Sequence, residues 1–373
     1  MHENQTFELI LQRMLDRIRN NVDKLEGSLI HDANASTAVE MQLIYLALDE
    51  VLNESFGDTA SREFLIRRAR ERGVIPFPAT HAILRGEFTP ANIDVIGRRF
   101  SMPNTGLTYI VESQISSGAY RVRCEQLGSQ GNRFGIIVPI DHIQGLQTAE
   151  LTYTVTADTD ADTATFTPTP LIPARDEETT EAIRQRYFGS FRDKAYGGNV
   201  RYYLNNTNAI GGVGATKVTP AWKGGGTVKL TIVDVYFGQA SNEPGGLIEK
   251  VQKIIDPYRD GMGKGLAPIG HVVEVGTVDE ILIDITAVIT LEDNTQEIPE
   301  AEISVAIKAY IDEERANWAN RDAITLYISQ VMAKISSVPG VRGVQNIKIN
   351  GLVGNLTLGR YEIPKLYRVY AAL

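Results

Sequence analysis

Apolar residues at Phe7, Ile10, Leu11, Met14, Ile18, Val22 and Leu25 recur every three or four positions, a spacing that gathers them on one face of a helix. Gln12, Arg13, Asp16, Arg17, Arg19, Asn20 and Asp23 take the opposite face, so the pattern predicts one long amphipathic helix near the N-terminus. A second helix is predicted from about Thr37 to Asn53, where Val39, Leu43, Leu46, Ala47, Val51 and Leu52 offer a wider apolar surface. Asp58 or Thr59 can cap a short third helix through Arg72, which Gly73, Pro76 and Pro78 then stop. Residues 1–80 therefore read as a helical arm.

Beyond His81 the period shortens. Runs such as Tyr120–Cys124, Gly135–Pro139 and Leu151–Thr156, punctuated by glycine and proline, predict a small β-rich domain over 81–173. Pro168, Pro170 and Pro173 read as a stiff connector at its end, because proline fixes φ and pushes its predecessor towards extended geometry. Helical spacing returns in Ile183, Tyr187 and Phe191 after the carboxylates of Asp176–Glu178, and again from Val200 to Ala209. Val228–Ile232 alternates as a strand, and Leu247, Ile248, Val251, Ile254 and Ile255 form a helix face that Pro257 ends. Odd positions from Ile281 to Leu291 are apolar while Asp284, Thr286 and Thr290 interleave, as in a strand with one wet face. Residues 174–292 are thus expected to form one α+β domain.

Residues 293–373 are expected to form another. A helix from Pro299 turns Ile303, Ile307 and Tyr310 inward, a second carries Ile324, Ile328, Val331 and Ile335, and strands Val344–Ile349 and Leu366–Tyr370 follow. Ala209–Val218 and Ser337–Lys348 echo each other, each a helix end, a Gly-Val turn and a strand. The fold class expected is α+β multidomain: a helical arm, a small β-rich domain and two α+β modules that this echo relates.

Composition narrows the function classes. At 373 residues the chain has room for two or three domains. Its 37 Lys+Arg against 46 Asp+Glu leave a net charge of −9, so no global basic field exists to hold phosphates and no nucleic-acid partner is expected. Cys124 is the single cysteine, which rules out an intrachain disulfide and fits assembly in a reducing cytoplasm. Met1 is followed by His-Glu-Asn-Gln, not by a basic stretch and an apolar core, so no secretory signal is read there. The most apolar window, Ile281–Leu291, falls short of the roughly 20 residues of a membrane span, so a soluble protein without membrane contact at rest is expected.

Catalytic and ligand motifs mostly fail on inspection. After Lys264 stands Gly265, not Ser or Thr, which breaks the Walker pattern, and neither Gly224–Gly226 nor Gly211–Gly214 opens a helix as a dinucleotide fingerprint must. His2, His31, His81, His142 and His271 are scattered, and Cys124 lacks a Cys-x-x-Cys partner, so no zinc site is read. Ala157–Thr163 alternates carboxylates like the start of a calcium loop, but Thr163 replaces the required glycine and Thr169 the bidentate glutamate, which favours a solvated acidic hairpin. Arg67, Arg68, Arg70 and Arg72 are accompanied by Glu63 and Glu71 with no interleaved aromatics, as on a solvated or protein-facing helix. No Gly-x-Ser-x-Gly elbow occurs, and paired carboxylates that meet only in space are invisible at this level. No catalytic, cofactor or metal residue is assigned. The unassigned feature is the stripe Phe7, Ile10, Leu11, Met14, Ile18, Val22 and Leu25, which must be covered either by the chain's own second helix or by helices of other chains.

Several blocks resemble the Baseplate J-like family. They are Gly27–Asp32, Gly57–Gly73, Leu127–Asn132, Gly197–Asn199 with Gly211–Trp222, and Gly265–Gly270. The similarity runs in order from about residue 25 to 290 and thins beyond. It implies a structural, non-catalytic wedge subunit in the baseplate of a contractile phage tail, prophage particle or phage-tail-like bacteriocin, assembled in the bacterial cytoplasm. It further implies that the N-terminal helices bundle with other copies and a shorter partner wedge protein. The domains after Asp176 would meet in a sixfold ring, against a sheath-initiating protein and the central hub or spike. Two other classes compete: a tail-associated cell-wall hydrolase using a carboxylate pair, and a receptor-binding tail protein using the β-rich domain and its acidic loop.

Overall fold

In the computed structural model, which describes residues 4–152, 170–192, 197–292 and 300–372, Thr6 opens helix α1 (Phe7–Asp16) by accepting the Leu9 N–H on its hydroxyl. The helix stops well short of Leu25. Arg17 and Ile18 donate to carbonyls only three residues back, Lys24 Nζ binds Ile18 O at 2.6 Å and Asn20 Oδ1 at 2.9 Å, and Asp23 Oδ1 accepts the Leu25 N–H. These side chains offer the backbone a turn in place of another helical bond. Helix α2 (Leu29–Ser55) begins earlier than expected because Ser28 Oγ caps it at His31 N. Asn34, Ser36 and Thr37 stay helical by bonding back to the carbonyls of Ile30 and Ala33.

Helix α3 (Arg62–Glu71) packs with α4 (Thr180–Arg192) through Ala60, Leu65, Ala69, Ile183 and Tyr187. Arg184 ties the pair by donating to the carbonyls of Gly57 and Ala60. Gly57 has no room for a side chain, since a Cβ there would lie 2.5 Å from Tyr187. The chain divides into one unit of Met1–Phe77 with Glu178–Lys194 and a second of Pro78–Glu177 with Ala195–Leu373. The helix expected to open the 174–292 domain therefore belongs with the N-terminal helices.

The second unit begins with β1 (His81–Thr89), β2 (Arg99–Met102), β3 (Leu107–Ser116), β4 (Ala119–Leu127), β5 (Gly135–Ile136), β6 (Val138–Pro139) and β7 (Thr148–Thr152), ordered β5-β7-β1-β4-β3-β2-β6. β5 and β6 are halves of one extended stretch, the first paired with β7 and the second with β2, so the sheet closes on itself as a barrel. Leu84, Phe100, Tyr109, Val122 and Ile137 fill it, with Phe88 edge-on to Phe100 and Tyr120. The acidic 157–163 segment and Pro168 lie outside the described residues. Pro170–Pro173 is not a free connector: Ile172 and Ile83 exchange two backbone hydrogen bonds, and Leu171 and Ile172 are buried.

The middle module comprises α5 (Val200–Ala209), β8 (Val213–Pro220), β9 (Thr227–Asp234), α6 (Leu247–Ile255) and β10 (Val272–Thr277). Its central β9 pairs antiparallel with β8 and, across the α6 connection, parallel with β10. The C-terminal module comprises β11 (Asp279–Leu291), α7 (Glu300–Ala316), β12 (Thr325–Leu326), α8 (Ile328–Ser336), β13 (Val341–Ile349), β14 (Leu356–Thr357) and β15 (Glu362–Ala372). Central β11 pairs antiparallel with β13 and parallel with β15. Both modules thus place a helix-fed antiparallel strand on one side of a centre and a parallel strand on the other, and the two echoing segments are the helix end and antiparallel strand of each. Their chain order differs, because α5–β8 precedes its central strand and α8–β13 follows. β11, expected at the end of the 174–292 domain, builds the C-terminal sheet instead.

Candidate assembly surface

Five residues of the expected N-terminal stripe line the α1–α2 contact: Ile10 and Leu11 are buried, and Phe7, Met14 and Ile18 pack half-buried around them with Leu15 and Ala38. Val22 and Leu25 follow the helix and are exposed, Leu25 at 76%. The α1 stripe is therefore covered by α2, and the open apolar surface lies on α2 itself.

That helix is unusual. Of its 27 residues only Ala38 is buried, while Leu29, Val39, Met41, Leu43, Ile44, Leu46, Leu48 and Val51 are exposed, Leu29 to 86% and Val51 to 61%. At 3.6 residues per turn these positions sweep roughly two thirds of the helix circumference. An apolar surface this wide calls for cover on more than one side, and α1 supplies it on one. Leu29, Met41, Ile44 and Leu48 fall outside one-sided amphipathic spacing, and their signal in the sequence is that α2 lacks a consistently polar face.

The two α+β modules are joined by Lys217, which is buried, and by Arg315, which is half-buried. Lys217 on β8 is 5% exposed; its Nζ donates to the carbonyls of Asp322 (3.3 Å) and Arg360 (3.0 Å) and sits 4.3 Å from the Trp318 ring centroid. Burial, aided by Arg360, lowers its pKa to about 8. Arg315 on α7 donates to Phe237 O (3.0 Å) and Glu280 (3.1 Å), and Lys365 on β15 reaches Glu280 at 2.6 Å. Asp234, at the end of β9, is 2% exposed and its Oδ1 accepts the N–H groups of Tyr236 and Gly238. Burial raises its pKa to about 6 against the pull of those two bonds.

No comparable constellation suggests chemistry. Among the described residues no three His, Cys, Asp or Glu side chains gather as metal ligands, and no helix is long and apolar enough to cross a membrane. Cys124 is buried in the barrel, which pushes its thiol pKa up. Within the arginine cluster, Arg67 pairs with Glu63, and Arg72 lies over Phe191 and donates to Ser190 O.

The structure thus combines an open apolar helix, a closed barrel and two fused α+β modules, and the chain belongs to the Baseplate J-like family. Models of the Baseplate J-like central domain and the Baseplate J-like protein C-terminal domain match residues 195–277 and 283–371. The second match covers the region where the motif-level resemblance thins. Over 376 aligned residues the chain is 35% identical to the phage-like element PBSX protein XkdT of Bacillus subtilis strain 168, covering 99% of this chain and 98% of that protein. The uncharacterized protein YqbT of the same strain matches at the same identity and coverage. A chain of the sixfold-symmetrised anti-feeding prophage baseplate aligns over 97% of this chain and 90% of its own length, at 11% identity and a TM-score of 0.40. Family membership makes this a phage-tail baseplate protein, structural in role.

Proposed function

We propose that the chain is a wedge subunit of a contractile injection apparatus, in a phage tail, a prophage particle such as the PBSX element, or a phage-tail-like bacteriocin. Its helical unit bundles with other copies of the chain and with a shorter wedge protein. The middle and C-terminal modules join neighbouring wedges into a sixfold ring that meets the sheath-initiating protein and the central hub. The observation that carries this reading is the open apolar surface of α2. Each of its large side chains contributes about 1.5–3 kcal/mol when a partner covers it fully, whereas left in water the surface promotes non-specific association.

A ring built from repeated heterologous or paired contacts requires neither a cofactor nor a reactive cleft, and its switching on contraction would use rearranged interfaces. Leu43→Lys with Leu46→Lys in the full chain should abolish co-purification with the other baseplate proteins of the producing strain, because both positions are already solvent-facing in the isolated subunit. Thermal unfolding of the barrel and sheets should stay unchanged in that variant. Undiminished co-purification would contradict the proposal.

A further inference from the structure

The joint between the middle and C-terminal modules changes character along its length. β8 and β9 pair Ala215 with Val233, Lys217 with Thr231 and Thr219 with Lys229, so the three pairs point to one face of the sheet at steps of about 7 Å. Ala215 and Val233 are buried in the core of the C-terminal module. They lie at the end of the joint where the chain crosses from β10 to β11, since Ile232 is level with Thr277. Val278 is the single covalent crossing between the modules. That end is also clamped: Arg315 spans Phe237 O and Glu280, and Gln239 Nε2 donates to Val278 O at 3.0 Å.

Further from the crossing the contacts become polar. Lys217 makes no ion pair among the described residues; two carbonyls and the Trp318 ring surround its ammonium, while the exposed Asp322 carboxylate turns to Arg360 at 3.2 Å. The Thr231 hydroxyl beside it is buried with no hydrogen-bond partner among the described residues. Beyond them the Thr219 and Tyr361 hydroxyls meet at 2.7 Å, and Lys229 Nζ lies 4.9 Å from the Tyr361 ring centroid. Closing this end takes water from an ammonium that no carboxylate neutralises and from a hydroxyl that gains no bond, and opening returns it.

A clamped apolar end beside one covalent crossing, and a far end where hydration offsets the lost contacts, are the two halves of a hinge. We propose that the C-terminal module swings on Thr277–Asp279, opening at Lys217 and Tyr361 while Ala215 and Val233 stay covered. The hinge is a property of the single chain; its use when a baseplate contracts rests on the wedge reading above.

The test places a thiol under the closed joint. In the full chain carrying Thr231→Cys, native Cys124, buried in the barrel, reports wider unfolding of the same molecule. The new thiol should react with a disulfide reagent about tenfold faster than Cys124, because the joint opens without the barrel. Adding Lys217→Met, a side chain of similar length without the charge, should slow that reaction about tenfold, since opening then hydrates no ammonium. Lys217→Leu serves if the methionine variant fails to fold. Reaction of the new thiol no faster than Cys124 would show no hinge, and an unchanged or faster rate without the ammonium would show that Lys217 holds the joint shut. Either result overturns the inference and leaves the wedge reading, tested by co-purification, standing.

Discussion

Gly214 and Asp234 show how tightly single residues are specified where β8 meets β9. A Cβ on Gly214 would lie 2.0 Å from the Asp234 carbonyl oxygen, so Gly214→Ala must push the strands apart and should cost about 3 kcal/mol in denaturant unfolding of the larger unit. The Asp234 carboxyl contributes a pH dependence whose sign follows from burial. Its folded pKa, about 6, exceeds the ordinary value of 3.8, so the native state binds the proton more tightly than the unfolded chain. Its contribution is fully present below pH 3.8 and is lost as pH rises through about 6. Asp234→Asn keeps an acceptor for the Tyr236 and Gly238 N–H groups and removes the charge. The difference in stability between wild type and variant should therefore move in the variant's favour between pH 4 and 7, by at most on the order of 3 kcal/mol. A pH-independent difference would show that Asp234 ionises normally in the fold.

Among the elements, β10 shows a sheet edge closed by side chains. Gln252 on α6 donates to Val273 O (3.0 Å) and Asp256 O (2.6 Å) and accepts from Val275 N (2.9 Å), while Asp256 Oδ2 accepts the Val273 N–H (3.0 Å). Gln252→Ala leaves these buried groups unpaired and should lower stability by about 3 kcal/mol, read as a shift in thermal unfolding. Local period was enough to find such faces: Leu247, Ile248, Val251 and Ile255 are buried on α6, as are Ile283, Ile285 and Ile289 on β11. Pairing was not legible, because it joins residues far apart in the chain. Nothing local reveals that Gly135–Pro139 closes a barrel from both sides, that α4 packs with α3, or that β11 pairs forward with β13 and β15. The assembly surface was half legible. Spacing marked α1 and α2 as apolar helices, but that α1 spends its stripe on α2, leaving α2 open, depends on the turn that Asn20, Asp23 and Lys24 impose.

On the scale of the molecule, one division of labour runs through the chain. The barrel and the two modules share buried contacts, Ile83 of β1 entering the core of the middle module and Ala215 and Val233 that of the C-terminal module, and Lys217 and Arg315 fasten module to module. The helical unit leaves most of its longest helix open to solvent, and on the function proposed above that surface is where other chains pack. Hydrogen exchange of the Leu29–Ser55 amides, compared between the isolated chain and purified particles, tests this most directly. The account predicts fast exchange in the isolated chain and strong protection from Val39 to Leu52 in the particle, with the barrel amides unchanged. Equal exchange of α2 in both states would contradict it.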